Sequence, residues 1–322
     1  MLSPRANPQL FGHDSAVAEL FRAATGARLH HAWLIAGPPG IGKATLAFRF
    51  ARWLLAGART PDLSLSARDP AFRRIATGAH ADLLVIERRY DEKRKRMQGE
   101  IVVDTVAAAG RFLRLTPGEG GWRVVIVDGA EALNRNAANA LLKLLEEPPA
   151  RAIWLLVSHA PGRLLPTIRS RCRRLDLDPL PAETVSNLLA ADLPELPDER
   201  RTALARLAEG SIGRALSLAD ADGLALAGLV GEALAGPLPP ARSAAIADTV
   251  ARADDGFATF ADLLRAALAT ETRAAARANP SSALDGRARL WQEFGRIAAE
   301  VDGLNLDPRA AVLTMLQLLR VP

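Results

Sequence analysis

The chain is nearly free of cysteine, with Cys172 the only one among its 322 residues. A single cysteine excludes a disulfide within the chain and a zinc site built from cysteines. The five histidines are not spaced as metal ligands are. The sequence therefore predicts no bound metal, and in particular no zinc.

Long apolar runs are also missing. The longest uncharged apolar stretch, near residues 223–231, is far shorter than the ~20 residues that a membrane-spanning helix needs. The first eight residues contain no apolar core of a secretory signal. Hydrophobic residues still make up 49% of the chain, which supports sizeable cores. We therefore expect a soluble, cytoplasmic protein with no membrane partner.

Aromatic residues are scarce, at 5% of the chain, while the net charge is +5. The positive charge is compatible with a nucleic-acid partner. A protein that only binds DNA is nevertheless disfavoured, because base stacking uses aromatic side chains and no helix-turn-helix pattern is present. The densest basic run, residues 88–96, favours a solvated loop over a loop that contacts phosphates.

Five short apolar runs are typical of buried strands. Two helical segments lie between them: residues 104–115, with Asp104 as the N-cap, and residues 134–147, ended by two prolines. Strands that alternate with helices predict an α/β fold with a parallel sheet. The apolar runs are residues 32–36, 83–86, 124–128, 153–157 and 175–177.

The pattern changes after residue 178, because no strand-like run follows. Prolines between residues 179 and 197, and again between 237 and 240, separate helical segments. The length of the chain suggests two or three domains. The sequence thus predicts an α/β domain over residues 1–178, a small helical lid domain over 179–236 and an all-α C-terminal domain over 237–322.

Residues 37–44, with the sequence GPPGIGKA, match the phosphate-loop pattern G-x-x-x-x-G-K-[ST] at every position but the last. The stretch follows a predicted strand and begins a predicted helix, as the pattern requires. Gly37, Gly40 and Gly42 would let backbone N–H groups face an anion, and Lys43 would add a positive charge. The sequence therefore predicts a phosphate cradle at this point of the chain.

The hydroxyl group with which phosphate loops bind Mg²⁺ is missing from this loop. Ala44 occupies the position whose hydroxyl would bind Mg²⁺, and Thr45 comes one residue later. Asp128 and Ser158 follow two other strands, so we expect them near the loop at the carboxyl edge of the sheet. These residues predict an ATPase-like site that has lost part of its chemistry, and they leave open whether it binds ATP or ADP.

Four segments together resemble the AAA+ clamp-loader family, and most closely its delta-prime branch in bacterial DNA polymerase III. The resemblance covers roughly the first 220 residues, and the rest of the chain shares only its helical character. The phosphate loop alone would not be specific, but its combination with the L-L-K-L-L-E-E-P-P and S-R-C segments is. The four segments are residues 10–13, 37–44, 139–149 and 170–172.

The resemblance implies that this chain hydrolyses ATP weakly or not at all. Hydrolysing relatives carry a glutamate directly after the residue that matches Asp128, and this chain has Gly129 there. Glu131 lies two residues farther along and is expected to point elsewhere. Relatives also have an arginine at the position of Gly213, whereas Arg214 comes one residue late. The ATP-hydrolysing motor subunits of this family also carry a zinc module after the first helix, and this chain has no cysteines there.

Arg171 in the S-R-C segment matches the arginine that such subunits insert into the ATP site of a neighbour. The resemblance implies a hetero-oligomer with gamma/tau and delta subunits that loads a sliding clamp on primed DNA as part of the DNA polymerase III holoenzyme. The C-terminal domain would be its oligomerisation collar. From the residues alone, Arg171 also fits a solvated basic edge shared with Arg169, Arg173 and Arg174.

A function of another class also remains open: a self-sufficient AAA+ ATPase, such as a gamma/tau-like motor subunit acting on DNA. The hydroxyl of Thr45, next to the usual position, favours this alternative. An ATPase assay of the isolated chain would separate the two.

Overall fold

The computed structural model describes residues 2–26, 29–88, 90–91, 96–119, 121–220, 222–278, 284–304 and 306–320. Over these residues the chain forms seven strands and fourteen α-helices. The strands are β1 (Ala32–Ala36), β2 (Leu83–Ile86), β3 (Tyr90–Asp91), β4 (Arg96–Met97), β5 (Arg123–Asp128), β6 (Ala152–Ser158) and β7 (Arg173–Asp176). The helices are α1 (Asp14–Thr25), α2 (Lys43–Leu55), α3 (Pro70–Ala76), α4 (Val103–Arg114), α5 (Arg135–Glu146), α6 (Pro166–Arg169), α7 (Ala182–Asp192), α8 (Asp198–Leu207), α9 (Ile212–Asp220), α10 (Gly223–Ala235), α11 (Pro240–Arg252), α12 (Gly256–Ala278), α13 (Leu284–Leu304) and α14 (Pro308–Leu318).

The chain divides into two compact units. The first comprises Met1–Asp192 and Glu209–Gly213, and the second comprises Leu193–Ala208 and Arg214–Pro322. All strands and all the predicted site residues belong to the first unit, and the described part of the second unit is helical. The division into three domains at residues 178 and 236 stays a prediction.

A parallel sheet with the strand order β2-β5-β6-β1-β7 forms the centre of the first unit. In its middle, Leu34 of β1 pairs with Leu156 of β6. Every residue of β1 and β6 is buried, as in central strands that helices cover on both faces. The five apolar runs are all strands of this one sheet, so the predicted α/β class with a parallel sheet is confirmed.

Alternate residues of β1 enter two different core layers, because successive side chains of a strand point to opposite faces. Trp33 and Ile35 pack with Phe50 of α2 in one layer. Ala32 and Leu34 belong to the other layer, which contains the buried side chains of α4 and α5. Burial on both faces fixes β1, and it thereby fixes the start of the phosphate loop that follows.

Helix α4 begins at Val103, so its N-cap lies two residues before the predicted N-cap Asp104. The N-cap is Val102, whose side chain makes no capping hydrogen bond. Just before it, Ile101 forms a β-bridge with Leu133. This pairing holds the chain extended up to Val102, and the helix starts immediately afterwards. A tertiary contact has overridden the capping preference of aspartate.

Helix α5 agrees closely with the prediction. The side chain of Asn134 accepts a hydrogen bond from the Ala137 N–H at 2.9 Å and caps the first turn. Leu141 and Leu145 bury the apolar face of α5 in the core of the sheet. Two prolines follow closely, and Glu146 is the last helical residue.

The second unit is built around the long helices α12 and α13. Phe260, Leu264 and Leu268 repeat every four residues along α12 and are buried, as is Phe294 of α13. Val312 of α14 is buried as well. Among the described residues, the helices include none that is long and apolar enough to cross a membrane.

The basic run of residues 88–96 is only partly described. Its short strands β3 and β4 pair in antiparallel fashion, with Tyr90 opposite Met97 and Asp91 opposite Arg96. Residues 89 and 92–95 lie outside the described residues, so the solvated loop stays a prediction.

Candidate functional site

The phosphate loop, residues 37–44, follows the end of β1 and runs into the first turn of α2. Gly42 has a left-handed backbone (φ 108°) and forms the N-cap of α2. At Gly37, a Cβ atom would lie only 2.5 Å from the carbonyl oxygen of Leu177. Glycine is therefore required at both positions by the path of the chain. The loop lies at the N-terminus of α2, where the helix dipole favours an anion.

Three contacts hold this loop in place. The Lys43 ammonium donates a hydrogen bond to the carbonyl of Pro38. The Nε2–H of His13 donates to the carbonyl of Ile41 at 2.7 Å, and the Gly213 N–H donates to the carbonyl of Gly40 at 3.1 Å. The loop's own lysine and two segments far away in the sequence thus satisfy three loop carbonyls. The contacts fix the loop in one conformation.

Lys43 is nearly inaccessible to solvent, with only 3% of its surface exposed. Burial lowers the pKa of its ammonium from the ordinary 10.5 to about 8, and the carboxylates of Glu131 and Asp128 oppose this shift. Burial also raises the pKa of Asp128, against the opposing effects of His159 and Lys43. Lys43, Asp128, Glu131 and His159 therefore form one electrostatically coupled cluster beside the loop.

Glu131 belongs to this cluster, so the prediction that it points elsewhere is wrong. Its carboxylate accepts hydrogen bonds from the His159 N–H at 3.2 and 3.3 Å. Burial raises the pKa of Glu131, but hydrogen bonds, first of all that from Ser158, outweigh burial and leave the pKa lower than usual. The cause is Gly129, whose left-handed backbone (φ 75°) starts a short 3-10 helix over Ala130–Ala132. That turn brings residue 131 back over the ends of the strands.

Three positions at or beside the loop, residues 44, 129 and 213, carry no polar side chain. Ala44 offers only a methyl group, and Gly129 carries no side chain. An arginine at the position of Gly213 would also meet the loop, because a Cβ there would lie 3.0 Å from the Cα of Gly40. Among the described residues, no group of histidine, cysteine, aspartate and glutamate side chains could hold a metal ion.

Arg171 lies at the opposite end of the strands from the phosphate loop, namely at their amino ends. It comes just before β7, whose first residue, Arg173, pairs with Trp33 at the beginning of β1. The phosphate loop begins only after Ala36, at the end of β1. At about 3.3 Å per residue along a strand, the amino and carboxyl ends of these strands are roughly 10–15 Å apart.

The Arg171 guanidinium rests on two neighbouring helices. Its Nη2 lies 2.7 Å from the Oε1 of Glu146, the last residue of α5. Its Nη1 donates to the carbonyl of Thr167 in α6 at 3.1 Å. The side chain of Arg171 is 36% exposed. These two contacts use two of the five N–H donors of the guanidinium.

Two neighbouring arginines, Arg173 and Arg174, also form ion pairs. Arg173 forms an ion pair with Glu19 at 2.9 Å and stacks over the ring of Trp33. Arg174 pairs with Asp176, also at 2.9 Å. Both arginines are engaged by acidic or aromatic groups of their own surroundings. Arg171, Arg173 and Arg174 are thus all partly exposed arginines in ion pairs, and the solvated basic edge stays a prediction.

The predicted nucleotide-binding residues do come together. The loop glycines, Lys43, Thr45 in the first turn of α2, and Asp128 at the end of β5 all lie at the carboxyl edge of the sheet. The sequence did not lead us to predict that His13 and His159 also belong to this site. The position of His159 directly after β6 was a usable signal, since the same rule had indicated Ser158.

A family model described as "DNA polymerase III, delta subunit" matches residues 12–181, which is more than half of the chain. The chain is 43% identical over 182 residues to DNA polymerase III subunit delta' of Pseudomonas aeruginosa, covering 56% of this chain and 53% of that protein. It is 32% identical over 228 residues to DNA polymerase III subunit tau of Escherichia coli, covering 68% of this chain and 34% of that protein.

A solved structure of a DNA polymerase III gamma subunit-related protein from Thermotoga maritima covers 95% of this chain and 98% of its own, with 19% identity and a TM-score of 0.43. The chain spans about half the length of the delta' relative and about a third of the tau relative. The predicted delta-prime resemblance is confirmed. Since the family model spans more than half of its length, the chain belongs to the DNA polymerase III delta-subunit family, as a clamp-loader-related subunit of the delta-prime type.

Proposed function

We propose that this chain is a clamp-loader subunit that contributes to ATP hydrolysis in a neighbour rather than in its own site. It would assemble with gamma/tau and delta subunits, supply Arg171 in trans, and help to load a sliding clamp on primed DNA in the cytoplasm. The observation that carries the proposal is the separation of two structural features at opposite ends of the same strands. An ATPase-like loop that lacks catalytic groups lies at the carboxyl ends of the strands, and the partly exposed Arg171 lies at their amino ends.

Three groups that serve ATP hydrolysis in related sites are missing from the site of this chain. Ala44 provides no hydroxyl for Mg²⁺, Gly129 no carboxylate for the attacking water and Gly213 no arginine for the γ-phosphate. Groups of these kinds stabilise the charge of a phosphoryl-transfer transition state, and losing one such group costs about 10²–10³ in rate. The loop could still hold the phosphates of ATP or ADP without hydrolysing them.

The ATPase assay of the isolated chain tests this part. We expect negligible turnover with Mg²⁺ and ATP, in the presence and absence of primed DNA. Turnover near the ~10 s⁻¹ of a median enzyme would overturn the proposal. Equilibrium dialysis with labelled ATP and ADP would measure separately whether the cradle binds nucleotide.

Arg171 supports the trans role because it is placed away from the chain's own loop and because its side chain is partly exposed. An arginine supplied to a neighbour's ATP site stabilises charge in the transition state and is worth about 10³–10⁵ in rate where it has been measured. The guanidinium always carries its charge and matches phosphate oxygens as a fork.

The test is Arg171→Ala in the assembled complex. We expect the DNA-stimulated ATPase rate to fall while the affinity for ATP and the assembly of the complex change little. Arg171→Lys should restore little of the rate, because an ammonium cannot reproduce the fork. Arg169→Ala is the matched control, since Arg169 is exposed on the same edge. Equal losses for Arg169→Ala and Arg171→Ala, or no loss for either, would contradict the trans role.

The C-terminal helices over residues 237–322 are the proposed oligomerisation collar. They leave large apolar side chains exposed, with Trp291 at 40% and Leu304 at 69%. Apolar side chains of this size are enriched in the cores of protein interfaces. Leu304→Glu should leave the chain folded and weaken its assembly with gamma/tau and delta subunits in size-exclusion chromatography. Leu115→Glu, at a 63% exposed leucine of the first unit, is the control.

The second candidate is a self-sufficient ATPase of the gamma/tau kind, and Glu131 favours it. This carboxylate lies within the cluster around Lys43 and could position water in place of the glutamate missing at residue 129. If the isolated chain hydrolyses ATP and Glu131→Gln abolishes that activity, this candidate replaces the first.

A further inference from the structure

The E-E-P-P segment at residues 146–149 has no role in the function proposed so far. Its two glutamates are adjacent in the sequence but differ in structure. Glu146 is the last residue of α5, whereas Glu147 has left the helix, with φ −123° and ψ 70°. The cause is Pro148, because a residue that precedes proline is disfavoured in the helical conformation. The prolines thus make Glu146 the final helical residue.

An acidic residue is unfavourable at this end of a helix. The carbonyls of the last turn carry a partial negative charge, which repels a carboxylate. Glu146 is compensated by the guanidinium of Arg171, whose Nη2 lies 2.7 Å from its Oε1. The pairing also joins two segments that are well separated in the sequence, the end of α5 and the turn after α6. The pair therefore orders the Arg171 side chain and offsets the unfavourable position of Glu146 at the end of its helix.

The arrangement restricts the guanidinium without burying it. One side of the fork contacts the Glu146 carboxylate and the other contacts the carbonyl of Thr167. The side chains of Arg171 and Glu146 are 36% and 49% exposed. A half-exposed pair of this kind is weak enough to adjust, yet it removes much of the rotamer freedom of a long side chain.

From this geometry we infer that Glu146 is a positioning residue for Arg171. It holds the guanidinium at the edge of the sheet in the orientation from which it contacts the phosphates of the neighbouring subunit. This inference rests on the proposed trans role of Arg171. Glu146 touches no nucleotide of its own, and its effect passes through the arginine. Its neighbour Glu147, which the proline turns out of the helix, has no such effect.

The test compares variants in the complex reconstituted with the gamma/tau and delta subunits of the same organism. Glu146→Ala should lower the kcat of DNA-stimulated ATP hydrolysis about fivefold, which corresponds to about 1 kcal/mol, and leave the KM for ATP unchanged. Glu146→Gln, which keeps an acceptor oxygen but loses the charge, should fall between wild type and Glu146→Ala. The matched control Glu147→Ala should leave kcat unchanged.

A double variant separates positioning from a general structural effect. In an Arg171→Ala background, Glu146→Ala should cause no further loss, because the residue through which it acts is gone. Equal losses with and without Arg171 would overturn the inference, as would an unchanged or increased kcat for Glu146→Ala alone. If Arg171→Ala lowers the rate and Glu146→Ala does not, only this inference fails. If Arg171→Ala has no effect, the proposed function fails and the inference fails with it.

Discussion

Replacing Lys43 by methionine should stabilise the folded chain at neutral pH, although a lysine here is the residue with which phosphate loops hold their anion. Lys43 is 3% exposed, and burial keeps its pKa at about 8 rather than 10.5. Below pH 8 the folded chain therefore carries a buried charge that costs free energy. Methionine has a similar unbranched shape and carries no charge.

The size of the effect follows from the pKa. A shift from 10.5 to about 8 corresponds to roughly 3 kcal/mol at 1.36 kcal/mol per unit. The variant also loses the hydrogen bond from Lys43 to the Pro38 carbonyl, worth about 1 kcal/mol. We expect the free energy of unfolding of Lys43→Met at pH 7 to exceed that of the wild type by roughly 2 kcal/mol.

The difference in stability between Lys43→Met and the wild type should depend on pH. Between pH 8 and 10.5 the unfolded chain still binds the proton of Lys43 while the folded chain has lost it, so the stability of the wild type rises with pH in this window. Lys43→Met lacks that rise, and its advantage should shrink as the pH approaches 10.5. Urea unfolding at several pH values measures both chains. Lys143→Met, at an exposed lysine of α5, is the control and should show neither effect.

A Lys43→Met variant that is no more stable than the wild type at pH 7, with a difference that does not change up to pH 10, would refute the reasoning. In that case the carboxylates of Glu131 and Asp128 would compensate the buried ammonium fully. The pKa of Lys43 would then not lie below its ordinary value.

Three further predictions concern parts of the first unit outside the loop. Asn134→Ala should lower the free energy of unfolding by about 1 kcal/mol through loss of the α5 cap, and Asn136→Ala, at an exposed position of the same helix, should leave it nearly unchanged in urea titrations. Because burial raises the pKa of the Cys172 thiol to about 12, Ellman's reagent at pH 8 should label the unfolded chain rapidly and the folded chain only at the rate of opening. The buried Arg52 donates hydrogen bonds to the carbonyls of residues 5 and 7, so Arg52→Met should speed limited proteolysis of the first eight residues, and unchanged cleavage would count against that anchoring role.

The sheet was predictable because its central strands are buried on both faces. Their apolar runs are continuous, and this distinguishes them from the amphipathic helices between them. The order of the strands was not predictable, because equally apolar runs give no indication of which strands are neighbours. The phosphate loop was recognised from its glycines, two of which the backbone path requires.

The errors have local physical causes. The start of α4 was misplaced because the bridge between Ile101 and Leu133 fixes the extended chain before it. The direction of Glu131 was misjudged because it depends on the left-handed conformation of Gly129. A sequence shows that a glycine is present but not which of its accessible conformations it adopts. The contact between Arg171 and Glu146 joins segments whose spacing in the sequence does not predict proximity.

The position of β1 within the sheet has a consequence for the synthesis of the chain. Among the strands that the structure describes, β1 is made first, yet it pairs with β6 and β7, which follow all the others in the sequence. At roughly 5–20 residues per second, the ribosome needs on the order of 10 s to proceed from β1 to β6. During that time the apolar residues of β1, including Trp33, have no partner strand. The nascent chain should therefore be a substrate for chaperones that bind apolar segments until β6 emerges, and the phosphate loop can reach its final conformation only after Gly213 has followed.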